Sequence, residues 1–415
     1  MGFNYDVLII GAGPAGSTAA KRLADARYRT LLVDKARFPR HKTCASWINR
    51  LAFERFPYLE AHRDELVDSP FHGVSFFDDD LGRRADWTER RPSGYLSLRS
   101  KFDNALKDIA VRAGAEFREG SGLAALEVAG GRVTIRLDTG EEVTSRALIG
   151  ADGAHSRVAH LAGLRTGWSK NEYVLCANED LPYPAGEIAR HYSARPPLLV
   201  ALRFDGLTGY GWIFPKRKHI CIGIGGRLRE GERIQDLYTK FFRAAQARGL
   251  LPAGAAPKDV YYDLDPAGAV NKGGPLVRGP VVLVGDAGGF VSGSTGEGIY
   301  PGMESARLAA ELVERGLRAG KLEDELKRFE TLWRERLGGF IRDLPGGEQR
   351  QPRTQTPSPV GASNSVPEGV WVRGQQTVDR IGLIFRSRLV CGVAARVFLY
   401  GEPASLGTLV RALRS

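Results

Sequence analysis

The sequence predicts an α/β protein: a Rossmann-type nucleotide-binding domain with an inserted, largely antiparallel β-sheet domain and a helical C-terminal tail. A short apolar segment that runs into Gly11-Ala12-Gly13-Pro14-Ala15-Gly16 and then into an alanine-rich helix predicts the first part. Two later stretches, 71–98 and 172–263, are rich in aromatic and β-branched residues with turn signals between them, which predicts the sheet. Near Val281 the first pattern returns, so we expect a discontinuous nucleotide-binding domain.

Strand and helix patterns alternate through the nucleotide-binding segments. Residues 5–10 and 30–33 predict strands and 14–26 a helix, which together imply parallel pairing with a right-handed crossover. The later segments of the same kind are a helix over 101–114, strands over 132–137, 142–144 and 147–149, a buried strand over 281–284 and a helix over 305–316.

These patterns divide the chain into four parts. The nucleotide-binding domain comprises three segments: residues 1–70, 99–170 and 275–340. The sheet domain, expected to cover the substrate, comprises two: 71–98 and 171–274. Residues 345–369 hold five prolines among Gly, Ser, Gln and Thr, which predicts a flexible linker or loop, and residues 370–415 predict a C-terminal helical segment.

Composition narrows the class of protein. The chain has 415 residues, 43% of them hydrophobic, so disorder throughout is excluded. Its net charge of +11 is spread along the chain with no run of five or six like charges, which argues against a nucleic-acid partner and leaves open peripheral contact with an anionic membrane. The N-terminus does not resemble a signal peptide, and no apolar stretch reaches the roughly 18 residues of a membrane span. We expect a cytoplasmic protein.

The four cysteines and seven histidines give no sign of a metal centre. The cysteines lie far apart without a CxxC pair, which predicts neither a disulfide framework nor a zinc site and favours a reducing compartment. The histidines show no ligand spacing, so no metal site is expected. Three of the cysteines are expected in the core: Cys176, Cys221 and Cys391.

The glycine-rich turn carries the strongest chemical signal. Gly11 permits a tight turn, Gly13 lets the backbone approach a pyrophosphate, and Gly16 allows close packing of helix on strand. The helix N-terminus supplies free N–H groups to phosphate. Asp34, 18 residues beyond Gly16 at the end of the second strand, is placed to accept hydrogen bonds from ribose hydroxyls. The sequence therefore predicts a dinucleotide site.

Two further strand ends carry Gly and Asp, at Asp152-Gly153 and Gly285-Asp286. Ligands of open parallel sheets lie outside the carboxyl ends of the strands, so these segments are expected to converge on one crevice, although Asp-Gly pairs also make ordinary turns. Next come Gly296, Gly298 and Ile299, at a glycine-lined helix start whose partial positive charge would stabilise a reduced flavin near N1 and C2=O.

These segments, in this order, resemble FAD-dependent oxidoreductases of the fold shared by aromatic hydroxylases and geranylgeranyl reductases. The resemblance covers about residues 1–340 and implies FAD as the cofactor. It implies that Arg99 contacts the flavin, that Asp152-Gly153 is the DG motif, and that Asp286 meets the ribitol chain. The complete set of candidate cofactor-binding residues is Gly11, Gly13, Pro14, Ala15, Gly16, Asp34, Lys35, Cys44, Arg99, Asp152, Gly153, Gly285, Asp286, Gly296, Gly298 and Ile299.

Two segments resemble the geranylgeranyl reductase branch of that fold. Residues 210–216, YGWIFPK, resemble its YxWxFPK motif, and residues 38–44, FPRHKTC, its FPRxKxC loop near the flavin. The branch continues with glycines after the cysteine, whereas Ala45-Ser46-Trp47-Ile48 follows here, and Trp47 is expected to reshape the cavity. His41 is a candidate for contact with cofactor phosphates. The candidate substrate contacts are Trp47, Tyr210, Trp212 and Phe214, and the catalytic candidates are Tyr210, Trp212 and Cys44. Tyr210 and Trp212 could instead belong to an aromatic stripe that packs against the sheet, and Cys44 could be an inert thiol.

The resemblance implies reduction of carbon–carbon double bonds of an isoprenoid or other apolar chain by hydride transfer from flavin N5. Only one glycine fingerprint is present, so NAD(P)H would dock transiently, or another reductant would serve. Trp212 and Tyr210 could shelter cationic character on an alkene, while a nearby acid supplies the proton. Flavin-dependent monooxygenation or halogenation is an alternative, although the halogenase signature WxWxIP is matched only in part. A non-catalytic, membrane-associated flavoprotein is a further one, because residues 373–415 hold seven arginines against two acidic residues. The other interpretation of this segment is a helical cap over the active site.

Overall fold

The computed structural model describes residues 2–341, 382–402 and 404–414. A mostly parallel sheet of six strands forms the centre of its nucleotide-binding half. The expected linker over 345–369 and residues 370–381 lie outside the described residues. The six strands, in spatial order, are β18 (Val277–Arg278), β19 (Val281–Leu283), β12 (Ala147–Gly150), β1 (Val7–Ile10), β2 (Thr30–Val33) and β8 (Glu116–Arg118). Neighbours are parallel except β18 and β19, and the central strands are buried on both faces, as their apolar runs require.

Helices cover one face of this sheet. The long ones are α1 (Pro14–Asp25), α5 (Arg99–Arg112) and α9 (Ile299–Ala319). Shorter helices complete the layer: α2 (Arg50–Arg55), α3 (Pro57–Ala61), α4 (Arg63–Leu66), α10 (Leu322–Lys327) and α11 (Phe329–Leu337). The apolar residues that alternate along β1 separate the two faces: Val7 and Ile9 join the core under the helices, and Leu8 and Ile10 join the core on the other side.

The opposite face carries a small antiparallel sheet. Its strands are β9 (Leu123–Ala129), β10 (Arg132–Leu137) and β11 (Glu142–Ser145), and α6 (Arg157–Leu161) packs beside them. Three 3₁₀ turns connect other elements: Phe204–Gly206, Ala269–Lys272 and Gly285–Gly288.

The inserted sheet has seven strands. In spatial order they are β17 (Tyr261–Asp265), β13 (Val174–Pro182), β16 (His219–Arg227), β15 (Thr208–Pro215), β14 (Leu198–Leu202), β5 (Val74–Phe77) and β6 (Arg84–Trp87). All neighbours are antiparallel except β14 and β5. Helices α7 (Ala185–Tyr192) and α8 (Ile234–Ala247) cover its outer face. The predicted fold class, a Rossmann-type domain with an inserted, largely antiparallel sheet, is confirmed.

One strand belongs to a different sheet than the sequence predicted. Strand β7 (Gly94–Leu96), which we expected in the large sheet, pairs with β3 (Trp47–Asn49) and β4 (Ser69–Phe71). The reason is local: a Cβ at Gly94 would lie 2.7 Å from both the Ile48 carbonyl oxygen and the Phe71 ring. The missing side chain therefore allows the close approach of two neighbours that holds β7 in this small sheet.

The predicted C-terminal helical segment is present as α12 (Arg388–Tyr400) and α13 (Leu406–Arg414). Helix α12 packs on the inner face of the large sheet, where a Cβ at Gly392 would lie 2.5 Å from the Trp87 ring. Phe398 stacks on Trp47, with ring centroids 5.2 Å apart. Within the described residues, no helix combines the length and the apolar character needed to cross a bilayer.

A buried carboxylate fastens the end of α12 to the strand region that follows β6. Glu89 accepts hydrogen bonds from the Tyr400 hydroxyl and from Ser93 Oγ (2.9 Å), and Arg50 and Arg396 lie 3.9 Å from its oxygens. Burial, followed by the Glu89 charge, raises the pKa of Tyr400 above its usual value, so this hydroxyl stays a donor.

Replacing Tyr400 by phenylalanine should destabilise the protein by about 1.5–3 kcal/mol, because a buried charged acceptor loses a donor. Urea unfolding of the holoprotein measures the effect. Tyr262→Phe is the matched control, since its side chain is 48% exposed and its loss should cost less than about 0.5 kcal/mol. Equal stabilities of the two variants would show that the Glu89 contact contributes nothing.

Candidate functional site

A cavity of about 2680 Å³ lies between the carboxyl ends of the parallel strands and the inner face of the large sheet. Pockets for one small ligand usually measure about 300–1,000 Å³, so this cavity has room for a dinucleotide and a second molecule. Gly16 does not line it. The remaining predicted site residues do: Gly11, Gly13, Pro14, Ala15, Asp34, Lys35, Cys44, Trp47, Arg99, Asp152, Gly153, Tyr210, Trp212, Phe214, Gly285, Asp286, Gly296, Gly298 and Ile299.

The three glycines of the first turn do three different things. Gly11 has φ +100°, and a Cβ there would lie 2.3 Å from the Ala151 carbonyl oxygen. A Cβ at Gly16 would lie 1.8 Å from the Gly11 oxygen, so Gly16 serves the packing of α1 on β1. At Gly13, by contrast, a Cβ would meet only a guanidinium nitrogen of Arg40 at 3.5 Å. The open space at the N-terminus of α1 therefore fits a pyrophosphate.

Asp34 holds the turn in shape and keeps acceptor capacity. Its carboxylate accepts from the amides of Ala12 (2.8 Å) and Ala36 (2.9 Å), one on each oxygen. An ionised carboxylate offers about four acceptor positions, so positions remain for ribose hydroxyls.

Two arginines share one buried carboxylate at the cavity wall. Arg99 donates to both oxygens of Asp103 (2.7 and 2.8 Å), and Arg40 lies 3.1 Å from the same group. Arg40 also lies 3.9 Å from Asp34, so the two guanidinium groups are balanced by two carboxylates, but both arginines line the cavity and can donate to an anionic cofactor. Sequence reasoning had missed Asp103, although its position four residues after Arg99 on one helix was the available signal.

The two Gly-Asp strand ends reach the same cavity but differ in role. Asp152 accepts from Ser156 Oγ (2.5 Å) and from the amides of Arg157 (2.7 Å) and Val158 (3.0 Å), so it caps α6 and shapes the turn at Gly153. Asp286 lies beside the start of α9, since a Cβ at Gly298 would lie 3.2 Å from its Oδ1.

A cluster of charged groups between these strand ends and β17 had no sequence signal. Lys42 donates to Asp263, and the pKa of Lys42 is raised because Asp286 and Asp263 outweigh the opposing effect of its burial. Burial, reinforced by the Asp286 charge, raises the pKa of Asp265 well above its usual value. His41 lines the cavity near this cluster, stacked on Tyr261 with centroids 3.9 Å apart.

Aromatic side chains line the other end of the cavity. Tyr210, Trp212 and Phe214 alternate along β15 and face inward, and the Tyr210 hydroxyl donates to the Thr295 carbonyl oxygen. A Cβ at Gly223 would lie 2.3 Å from the Trp212 ring, so this glycine on β16 gives the indole its place. Helix α12 closes this end, in agreement with the interpretation of the C-terminal segment as a helical cap, with Val390, Val393, Ala394, Val397 and Phe398 in the lining.

The expectation that Cys176 lies in the core was wrong. Cys221 and Cys391 are buried, but Cys176 lines the cavity together with Cys44. The reason is that Cys176 on β13 pairs with Gly225, where a Cβ would lie 2.7 Å from its sulfur. The Cys44 sulfur accepts from the Ser46 amide at 3.3 Å.

Glu297 lines the cavity and is a functional candidate that sequence reasoning missed. It precedes α9, is 5% exposed, and accepts from Asn49 Nδ2 at 3.0 Å. Burial raises its pKa to about 8. A carboxyl group that stays protonated at neutral pH can act as a general acid.

Comparison with known proteins adds family information to this geometry. Residues 4–185 match the family model described as an FAD binding domain. A protein of Methanocaldococcus jannaschii named digeranylgeranylglycerophospholipid reductase is 28% identical over 352 residues, 80% of this chain and 83% of the relative. A protein of Mycobacterium tuberculosis named menaquinone reductase is 32% identical over 328 residues, 74% of this chain and 76% of the relative.

Solved structures share the fold at low sequence identity. The geranylgeranyl bacteriochlorophyll reductase-like protein of Thermoplasma acidophilum superposes with a TM-score of 0.74 at 20% identity, covering 99% of this chain and 96% of that one. The halogenase PltM superposes with a TM-score of 0.63 at 19% identity, covering 79% of this chain and 72% of that one. The fold is therefore common to reductases and halogenases.

Proposed function

Because the chain belongs to the geranylgeranyl reductase family of FAD-dependent oxidoreductases, we propose that it reduces carbon–carbon double bonds of an isoprenoid or similarly apolar chain. Bound FAD supplies a hydride from N5 when reduced. The relatives named for digeranylgeranylglycerophospholipid and menaquinone suggest the substrate class: a lipid that carries an unsaturated prenyl chain.

The continuity of the cavity carries this proposal. Its polar end, with the Gly13 turn and the Arg40–Asp103–Arg99 group, suits the anionic half of a dinucleotide. Its other end is formed by Trp47, the aromatic side chains of β15 and the apolar face of α12. A chain lying there would be out of water and beside the junction where Glu297 and Gly298 precede α9. Burial of that chain stabilises the complex by about 0.8 kcal/mol for each CH₂ group.

We assign the remaining roles to side chains of this cavity. The rings of Trp212 and Tyr210 shelter positive charge that develops on the alkene. NAD(P)H, docking transiently, or another reductant reduces the flavin. Contact with an anionic membrane gives access to a membrane-resident lipid, and Leu383 and Val410 at the C-terminal end expose apolar side chains that suit such contact.

Anaerobic incubation of the holoprotein with two prenyl lipids tests the proposal. Dithionite-reduced protein is mixed with menaquinone or with digeranylgeranylglycerophospholipid, and products are analysed by mass spectrometry. The expected product gains two hydrogens for each reduced double bond, and oxygen is not required. A product that gains oxygen or halide, formed only in air, would replace the reductase with the monooxygenase or halogenase alternative. A flavin that stays reduced with both lipids, and that NAD(P)H does not reduce in a separate assay of the oxidised holoprotein, would favour the non-catalytic alternative.

Replacing Trp212 by leucine should slow double-bond reduction by about 2- to 30-fold while FAD content stays unchanged. A cation–π contribution of about 0.5–2 kcal/mol sets that range. Trp212 is 6% exposed and its Nε1 has no hydrogen-bond partner among the described residues, so leucine removes the ring without orphaning a polar group.

Trp333→Leu is the matched control for Trp212→Leu. Trp333 is equally buried but lies in α11, outside the cavity lining. The control should lose stability and keep turnover per bound flavin. If both variants lose turnover alike, Trp212 is a packing residue.

A further inference from the structure

The two oxygens of the Glu297 carboxyl group differ in their hydrogen bonds. Oε2 accepts from Asn49 Nδ2 at 3.0 Å. Oε1 is buried and has no hydrogen-bond acceptor among the residues that the structure describes, although the Tyr300 amide donates to this carboxyl group. A buried polar atom without a hydrogen bond costs folding free energy. Such an atom at a cavity wall therefore indicates that a bound ligand interacts with it.

The contacts of Asn49 determine which oxygen carries the proton. Asn49 Oδ1 accepts from the Leu51 amide (2.9 Å), and Nδ2 also donates to the Leu399 carbonyl oxygen (2.6 Å). The amide nitrogen therefore faces Glu297, and Oε2 has to be an acceptor. The hydrogen of a neutral Glu297 belongs on Oε1, which is left without a protein acceptor beside the cavity.

The surroundings of Glu297 favour the neutral form. Burial raises its pKa to about 8, outweighing the Asn49 hydrogen bond and the nearby Tyr300 amide, which lower it. Tyr210 from β15 and Tyr300 from α9 are titratable groups close enough to sense the Glu297 charge. Burial raises the pKa of both phenols, so both are neutral at pH 7 and neither offsets a charge on Glu297.

We infer that Glu297 is the acid that protonates the substrate double bond in the proposed reaction. As the π bond breaks, one alkene carbon accepts a hydride from the reduced cofactor and the other accepts the proton on Glu297 Oε1. Two C–H bonds form, the flavin is oxidised by two electrons, and the Glu297 carboxylate regains a proton from solvent. This inference rests on the proposed function.

Other acidic groups in the cavity are less suitable. The Tyr210 hydroxyl donates its proton to the Thr295 carbonyl oxygen. Asp265 lies close to Lys42, Asp263 and Asp286, but it also approaches Tyr210, since a Cβ at Gly296 would lie 3.5 Å from the Tyr210 hydroxyl and 3.7 Å from Asp265 Oδ2. Asp265 is therefore the rival that the experiment has to separate from Glu297.

Glu297→Gln is the informative variant, because glutamine keeps an acceptor for Asn49 and removes the acidic proton. The dithionite-reduced holoprotein is mixed anaerobically with whichever of the two prenyl lipids the wild type reduces, and flavin oxidation is followed. We expect the variant to be slower by about 100-fold or more, the usual contribution of a general acid. The wild-type rate should fall as pH rises through about 8, because the acid is lost there, and the variant should lack this fall. Glu304→Gln is the control, because Glu304 is a buried carboxyl group in α9 that does not line the cavity, and this variant should leave rate and pH profile unchanged.

An infrared difference titration gives a readout that does not depend on turnover. The wild-type holoprotein should show a protonated carboxyl band that disappears through about pH 8, and Glu297→Gln should lack that band. Equal rates and pH profiles for wild type and Glu297→Gln, or loss of the profile in Asp265→Asn instead, would overturn the inference and leave the reductase proposal standing. Failure of the wild type to reduce either lipid would instead overturn the reductase proposal, and the inference with it.

Discussion

Replacing Gly13 by valine is expected to weaken FAD binding by up to about 100-fold while the protein stays folded. The Gly13 backbone is extended (φ −72°), which valine adopts readily, and a Cβ there meets only an Arg40 nitrogen at an ordinary 3.5 Å. The apoprotein therefore has room for the side chain, whereas a bound pyrophosphate would collide with it. Overpacking of this kind costs up to about 3 kcal/mol, which corresponds to a factor of about 100 in Kd.

Flavin fluorescence titration of the apoprotein measures this effect, with circular dichroism as the test of folding. Gly186→Val is the matched control, because a Cβ at Gly186 meets nothing within 4 Å and the residue lies outside the cavity lining. The control should bind FAD as the wild type does. Full affinity in folded Gly13→Val protein would place the pyrophosphate elsewhere.

Replacing Phe398 by alanine is expected to destabilise the protein by about 3–5 kcal/mol and to detach the C-terminal helices. Its ring stacks on Trp47 (5.2 Å) and meets Phe76 (5.8 Å) and Tyr210 (5.5 Å) edge to face, so one truncation removes three aromatic contacts and leaves a void. Because α12 closes the apolar end of the cavity, water would enter and lipid reduction would fall with stability.

Denaturant unfolding and limited proteolysis together test this prediction. Phe398→Leu should lose only part of the stability, because leucine keeps much of the buried apolar surface. Val410→Ala, at a position 38% exposed, should stay within about 0.5 kcal/mol of the wild type. Wild-type stability and protease resistance in Phe398→Ala would show that α12 is not held by this ring.

The sequence predicted those parts of the site that depend on local chemistry. A glycine turn between a strand and a helix has a short-range signature, and the structure brings Gly11, Gly13 and Asp34 to one cavity. The strand-end aspartates could be placed as well, because carboxyl ends of parallel strands share an edge. The individual roles could not: Asp152 caps α6, a contact that depends on where Ser156 and Val158 lie in space.

The parts that escaped prediction depend on contacts between distant residues. Asn49 and Glu297 are 248 positions apart, and Asn49 and Leu399 are 350 apart, so no periodicity or spacing links them. Cys176 faces the cavity because a glycine happens to pair with it across the sheet. A helical cap over the site is one of the two interpretations of the C-terminal segment, but the ring contacts that hold α12 there are encoded by no local pattern.

Because reductases and halogenases share this fold, only the side chains around the flavin can determine which reaction takes place. In the proposed reaction, the large-sheet aromatics and α12 shelter the alkene and Glu297 supplies the proton, so these side chains and not the fold carry the proposal. Fold similarity at 17–20% identity cannot make that distinction, whereas the chemistry of one turnover can.

Single-turnover oxidation of the reduced holoprotein by a prenyl lipid, with oxygen excluded, tests double-bond reduction directly. We expect the absorbance of oxidised flavin to return on mixing and one double bond to be lost for each flavin oxidised. A flavin that stays reduced until air is admitted, with the lipid then recovered unchanged or oxygenated, would contradict it.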